Sequence, residues 1–378
     1  MTDTLDVRLV GHNRTLNGKL MRVHSIDYLR GAMASSILLY HFVSWSLGGQ
    51  SSETVLGRLG IYGVSTFYVI SGMSMFIAYR KCEWGTNETI SYLIKRFMRI
   101  APLFAVATIS TIIVLKGINP KYSPTTETLI SNLTLAFGFY NPTNYIATGG
   151  WSIGNEMVFY YFFPVAAILV RNPAMLIWMI VGVFGIYSYY AFAVIGKAAD
   201  MGNAWKDYIN PVNQGFLFLA GVTIGKMFMD GVRLSQRNAL IVLFVVAAVF
   251  CLYPATGNQI SIVSGYPRLL FTAICILCVY SSACVSISEN SIAHKIMEKL
   301  GEISYSMYML HGAIGLAAIR LLAPKMGLST AEDKFYLLML GALPATIGLS
   351  LLVYTYVEMP IMRLAKRIAP YRKPEVVY

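Results

Sequence analysis

The sequence predicts an all-α polytopic membrane protein of about ten transmembrane helices with both termini cytoplasmic. Three observations carry that expectation. The first is composition: of 378 residues, 56% are hydrophobic and only 13% charged, with a mean hydropathy of +0.58. Soluble domains carry about a quarter charged residues, because they must cover themselves with a polar surface. The second is the recurrence of apolar runs of about twenty residues, the length that crosses a hydrocarbon core of roughly 30 Å at 1.5 Å per residue. The third is an uneven distribution of Lys and Arg between alternate loops.

The apolar runs fall at 26–47, 59–79, 97–115, 151–170, 174–195, 211–229, 239–253, 266–288, 300–322 and 335–357. A shorter and more polar stretch at 129–140 is a marginal eleventh. If that stretch does not cross and the N-terminus is cytoplasmic, the cytoplasmic segments hold twenty Lys and Arg and the opposite side nine, with Arg30 left inside a span. The nine include Arg58 and Arg268. Letting 129–140 cross would move every later loop and shrink the bias, so it is expected to be a re-entrant or interfacial piece of an outer loop. The domain organisation is then simple: residues 1–25 form a cytoplasmic N-terminal segment, 26–357 the transmembrane domain and 358–378 a basic cytoplasmic tail. No cleavable signal peptide is expected, because residues 1–25 lack an apolar core.

The net charge of +12 would suit nucleic acid, but positively charged cytoplasmic loops account for it, and no nucleic-acid partner is expected. Four of the five cysteines lie in apolar runs, which argues against a disulfide framework. Cys275 and Cys278 have a metal-like spacing but lack a second pair. No metal site and no bound cofactor are expected.

Function is expected where ionisable groups enter apolar helices, since each costs several kcal/mol unless paired or hydrated. Arg30 and His41 share the first run. Eleven residues at 100° each bring them to within about 20° of one helix face, roughly 16 Å apart along the axis. That co-facial placement favours a shared polar cavity over a snorkelling Arg and a structural His. Ser152 and Glu156 lie one turn apart after Trp151, so the carboxylate of Glu156 is a candidate to orient or protonate His41; the alternative is a solvated Glu156 beside an interfacial Trp151 anchor. Lys95, Arg96 and Arg99 open the third run, either as a topology determinant or as a dock for phosphate groups. Ser304, Tyr308 and His311 make a polar stripe within the ninth run.

The segments IDYLRGAMASSILLYHF, GIYGVSTFYVISGMSMF, RFMRIAPLF, WSIGNEMVFYYFFP, LGEISYSMYMLHG and YVEMPIMRLAKR, in this order, resemble the landmarks of the acyltransferase 3 family, over residues 26 to 367. The resemblance implies a multi-pass enzyme of the bacterial inner membrane that moves an acyl group, commonly acetyl, from acyl-CoA onto a sugar hydroxyl of a surface or exported glycan. It implies catalytic roles for His41, Glu156 and Arg30, donor contacts by Lys95, Arg96 and Arg99, and acceptor contacts by Trp151, Ser152, Tyr308 and His311. Acyl-CoA is then a co-substrate, and the expected partners are the glycan or lipid-linked glycan acceptor, the bilayer and polysaccharide assembly machinery. The chain departs from the family where Tyr28 replaces a usual Gly and where Met157 follows Glu156. Some relatives add a C-terminal hydrolase-like domain, and none is expected here, so transfer is expected to finish within the membrane domain or with a partner. The rival expectations are a transporter or proton-coupled flippase using the same ionisable residues as a relay, and a catalytically inactive assembly partner.

Overall fold

The computed structural model describes residues 23–369. Fifteen helices succeed one another, with no strand among the described residues: α1 (His24–Leu47), α2 (Val55–Tyr79), α3 (Thr86–Ile118), α4 (Thr126–Leu133), α5 (Phe137–Tyr140), α6 (Gly150–Leu169), α7 (Pro173–Lys197), α8 (Met201–Tyr208), α9 (Pro211–Met229), α10 (Gln236–Leu252), α11 (Ile260–Val263), α12 (Gly265–Ala283), α13 (Ile292–Glu302), α14 (Ser304–Lys325) and α15 (Ala331–Ile368). Their starts are written locally. Side chains of Thr54, Thr125, Asn172, Asp200, Asn210, Ser235, Ser291 and Thr330 each cap a backbone N–H of the first helical turn. Pro173 and Pro211 occupy first-turn positions, where no donor is lost.

Eight of these helices are long and apolar enough to cross a membrane: α2, α3, α6, α7, α9, α12, α14 and α15. The other two predicted spans correspond to α10, which is apolar but only 17 residues long, and to α1, which has 24 residues but carries Asp27, Arg30 and His41. Residues 129–140 do not form one helix. They divide between α4 and α5, broken at Leu135 with φ +61°, and neither piece has the length to span.

Two expected boundaries shift. The last helix does not stop at 357 but continues to Ile368, passing two π-helical turns at Leu337–Ala342 and Tyr354–Glu358. Residues 358–368, expected as tail, therefore belong to the bundle, and Ser91 of α3 donates to the carbonyl of Ala369 at 3.0 Å. The run at 300–322 starts later than expected, because Leu300, Gly301 and Glu302 complete the amphipathic α13 before the chain turns at Ile303. The N-terminal segment 1–25 lies outside the described residues apart from its last three.

Arg58 and Arg268 are not loop charges. Arg58 sits in α2, buried, and donates to the carbonyls of Ser52, Phe250 and Glu53 at 2.7, 2.6 and 2.9 Å. Arg268 in α12 donates to Asn213 at 2.6 Å and lies 4.0 Å over the Tyr187 ring. Arg58 is thus met by fixed carbonyl acceptors and Arg268 by one acceptor and a ring face, while Nη1 of Arg268 has no hydrogen-bond partner among the described residues. Cys275 points its thiol at the Tyr62 carbonyl, 3.8 Å away, and both it and Cys278 are free.

The centre of the bundle is the packing of α2 on α9. A Cβ on Gly72 would lie 2.1 Å from the Phe218 carbonyl, and one on Gly221 2.1 Å from the Val69 carbonyl. Small residues at both contact points let the backbones touch, the usual device where lipid removes the hydrophobic drive between helices. Around this pair the connecting loops gather at two ends. At one, Arg171 in the α6–α7 turn donates to the carbonyl of Cys82 in the α2–α3 turn. At the other, Ser52 after α1 donates to the Gly257 carbonyl at 2.9 Å, and Asn258 to that of Ala199 at 3.0 Å. Replacing Gly221 by Val should lower stability by about 1–3 kcal/mol or more through overpacking. Gly215→Val, at a position with open space around it, should leave the melting temperature in detergent unchanged; equal melting of the two variants would refute the contact.

Candidate functional site

A cavity of about 350 Å³ opens where α1, α2, α3, α6, α14 and α15 converge. Its polar lining is dense for a membrane bundle: Arg30, Arg96, Arg99, Glu156, Tyr160 and Tyr308 among others. Arg96 and Arg99 lie three residues apart on α3, so they present their guanidinium groups on one side. Arg96 donates to the Tyr79 hydroxyl at 3.1 Å and stands 5.4 Å over that ring and 5.9 Å over the Tyr160 ring. Arg30 comes from α1 and lies 3.9 Å from Asp27, a loose pair that leaves most of its donors for the cavity.

Arg99 is 3.4 Å from the carboxylate of Glu358, which is buried and also accepts from Ser306. Hydropathy alone misses Glu358, because the apolar run ends one residue before it and the basic residues beyond look like tail. A carboxylate in YVEMP at the end of an apolar run is the available signal. With Arg99 paired to Glu358, the cavity keeps two guanidinium groups without a close carboxylate partner among the described residues, apart from the loose Asp27 contact of Arg30.

Glu156 is engaged differently than expected. Its Oε1 accepts from Ser71 at 2.8 Å and from Tyr160, and Ser71 and Tyr160 also bond each other at 2.9 Å. No hydrogen bond or ion pair joins Glu156 to His41 among the described residues. Ser152, one turn earlier, shares a hydrogen bond of 2.8 Å with the Tyr308 hydroxyl, which also reaches the carbonyl of Gly149 at 3.1 Å. Gly149 has φ +76°, and a Cβ there would lie 2.6 Å from that hydroxyl, so only glycine fits. Trp151 is no interfacial anchor. It is buried against Trp205, Tyr208 and Tyr68, with ring centroids at 5.6, 5.9 and 6.4 Å.

His41 lies outside the cavity lining, in a second polar cluster behind Tyr308. Its ring stacks on that of His311 with centroids 5.1 Å apart, and on Trp45 at 5.2 Å. His311 in turn is 5.8 Å from the Tyr308 ring. His311 is fully buried, and its Nδ1 is 2.7 Å from the Tyr308 carbonyl. A carbonyl only accepts, so Nδ1 carries the proton and Nε2 presents a lone pair. That Nε2 has no hydrogen-bond partner among the described residues. Trp45, four residues after His41, shares its face by helical spacing, but an aromatic residue in an apolar run does not stand out in the sequence. Lys95 does not line the cavity.

The family model described as an acyltransferase domain matches residues 23–355, nearly all of the described chain. The chain belongs to the acyltransferase 3 family. No curated protein matches the chain, and no solved structure does. The membrane acyltransferase is thus assigned by its family, and the two polar clusters are the places where its helices hold groups able to bind an anion or move a proton.

Glu358 supplies a direct test of the site's electrostatics. Its replacement by Ala should destabilise the protein by about 3–5 kcal/mol, because Arg99 is left as an uncompensated cation in the bundle. Glu358→Gln keeps an acceptor for Ser306 and should cost less. Thermal unfolding in detergent orders the three proteins, and a Glu358→Ala variant as stable as the parent would show that the pair carries no weight.

Proposed function

We propose that this acyltransferase moves an acetyl group from acetyl-CoA to a hydroxyl of a sugar in an exported or surface glycan, at the bacterial inner membrane. The observation that carries the donor half is the cavity with Arg30, Arg96 and Arg99 in its wall. Guanidinium groups suit phosphate oxygens through paired N–H donors, and the phosphates of CoA are the anions that an acyl donor brings. Lys95, beside this mouth on α3, adds positive charge without lining it.

The acceptor half rests on the imidazole pair. His41 is half-buried and His311 fully buried, so His41 is the ring that an incoming hydroxyl can reach. In the proposed step an unprotonated nitrogen of His41 takes the hydroxyl proton as the oxygen attacks the thioester carbonyl carbon. The carbon–sulfur bond breaks, and the leaving CoA thiolate recovers the proton from the imidazolium. His311 is a positioning residue that holds the His41 ring between itself and Trp45. Tyr308 stands between the two clusters, lining the cavity on one side and meeting His311 on the other. The acyl group must pass its ring, and the hydrogen bonds of Tyr308 to Ser152 and Gly149 are the ones that yield. Glu156, tied to Ser71 and Tyr160, shapes the donor cavity and does not orient His41.

The roughly 16 Å between Arg30 and His41 along α1 gives this division a purpose: an extended pantetheine arm spans it with phosphates at one end and thioester at the other. Vesicles holding the protein, labelled acetyl-CoA and isolated glycan would test the reading by covalent label on the sugar. His41→Ala should reduce transfer by about 10²–10⁴-fold with the protein still inserted and monodisperse. Arg96→Gln should mainly raise the KM for acetyl-CoA. Undiminished labelling by inserted His41→Ala protein would remove the base from the scheme, and unlabelled glycan crossing the vesicle would favour transport instead.

A further inference from the structure

The three side chains of His24, His294 and Glu298 converge at the end of the bundle from which α1 starts, away from the cavity lining. His24 opens α1, while His294 and Glu298 lie one turn apart on α13 and face the same way. The two helices pack with little between them. A Cβ on Gly301 would lie 2.2 Å from the Asp27 carbonyl, and one on Gly31 would lie 2.8 Å from the Leu300 Cβ. That approach brings His24 Nδ1 to 3.2 Å from one oxygen of Glu298 and His294 Nε2 to 3.3 Å from the other. All three groups offer ligand atoms within 4.8 Å of one another.

We propose that His24, His294 and Glu298 form a binding site for a divalent transition ion, with zinc as the ion the chemistry favours. Zinc bonds nitrogen and carboxylate oxygen at about 2.0–2.2 Å in a tetrahedron. Such bonds place neighbouring ligand atoms roughly 3.3–3.4 Å apart, close to the 3.2 and 3.3 Å at which each imidazole meets its own Glu298 oxygen, so a modest side-chain adjustment within the 4.8 Å cluster would bring the three onto one ion. Two imidazoles with one carboxylate suit zinc over magnesium or calcium, which prefer all-oxygen shells.

The surroundings are those of a ligand set and go beyond a surface ion pair. His294 is buried, and its other nitrogen, Nδ1, is 2.5 Å from the hydroxyl of Tyr28, also buried. With an ion bound, His294 would donate Nδ1–H to Tyr28 and leave the Nε2 lone pair for the metal, which is how an outer hydrogen bond fixes a histidine ligand. His24 Nδ1 is buried and makes no hydrogen bond among the described residues, although Glu298 is only 3.2 Å away. A nitrogen close to a carboxylate but out of hydrogen-bond alignment fits a lone pair aimed at a point between them. Glu289, 3.9 Å from His24 Nε2 and largely exposed, stands beside the site. Three protein ligands leave a fourth position for water. The ion would clasp the first turn of α1 to α13 about 9 Å before Arg30 along the helix, fixing the base from which that residue enters the cavity. This site does not depend on the reading of donor or acceptor.

The test uses the full chain in detergent, purified without a polyhistidine tag and stripped with chelator. Zinc alone is titrated against a chromophoric competitor, and Co²⁺ is added to a second sample for its visible d–d absorption. We expect one equivalent per chain with Kd below about 1 µM, and a cobalt band of four-coordinate intensity. His294→Ala and Glu298→Gln should each weaken zinc at least 100-fold. Tyr28→Phe, which leaves all three ligands in place, should weaken it about 10- to 100-fold. His24→Ala, at the half-exposed start of α1, repeats the loss if the His294 variant fails to fold. Absence of stoichiometric zinc in the parent, or affinity unchanged in the folded His24→Ala and Glu298→Gln proteins, overturns the proposal.

Discussion

A guanidinium group inside an apolar bundle must be paired, hydrated or stacked, and three of them meet in one cavity here. That constraint accounts for much of the architecture around them. Glu358 is carried into the bundle to meet Arg99, and Ser306 is turned to hold Glu358. Tyr79 and Tyr160 present their rings to Arg96. The last helix has to run past the expected end of its span so that Glu358 reaches this depth. Removing a pair such as Arg99 and Glu358 together would be energetically mild, whereas removing one member is severe, because the cost lies in the orphaned charge. The positive field is therefore a built property of the fold, because Glu358 is close only to Arg99 among the described residues and leaves the charges of Arg30 and Arg96 uncancelled.

The two polar clusters are separated by a single layer. Tyr308 belongs to both, lining the cavity and touching His311, and its hydroxyl is held by Ser152 and by the carbonyl of a left-handed glycine. Such a partition separates the cavity from the imidazoles. Glu156, one turn after Ser152 on α6, is held on the cavity side in a closed triangle with Ser71 and Tyr160 and makes no hydrogen bond to His41 among the described residues.

The range of the forces decides which parts are legible in the sequence. Helix number and class depend on run length and local capping, and both can be read residue by residue. Arg30, Arg96, Arg99, Glu156, Ser152 and Tyr308 also emerge, because an ionisable or polar group in an apolar run is visible without knowing its partner. Partners are not legible. Helical phase puts Arg30 and His41 on one face of α1, but it does not say which helix lies opposite. Pairing His41 with Glu156 assumes that similar depth means contact, and His311 takes that place. Arg58 and Arg268 look like loop charges because their acceptors, carbonyls and Asn213, are mostly distant in sequence. The ends of α14 and α15 are misplaced for a related reason: π-helical turns and a short amphipathic helix blur hydropathy at a boundary.

The convergence of His24 with His294 and Glu298 shows the same limit most sharply. None of the three sits in an apolar run with a telling spacing, and 270 residues separate His24 from His294. A pair at i, i+4 on an amphipathic helix reads as an ordinary surface ion pair. Only the close approach of α1 to α13, permitted by Gly31 and Gly301, brings a second imidazole to the other carboxylate oxygen. Gly31 adjoins Arg30 on α1, the helix that carries that guanidinium into the cavity. A side chain at either would push α1 away from α13, and both the convergence of ligands and the aim of Arg30 would be lost together. The glycine contact is thus the common physical cause of two features that the sequence presents as unrelated.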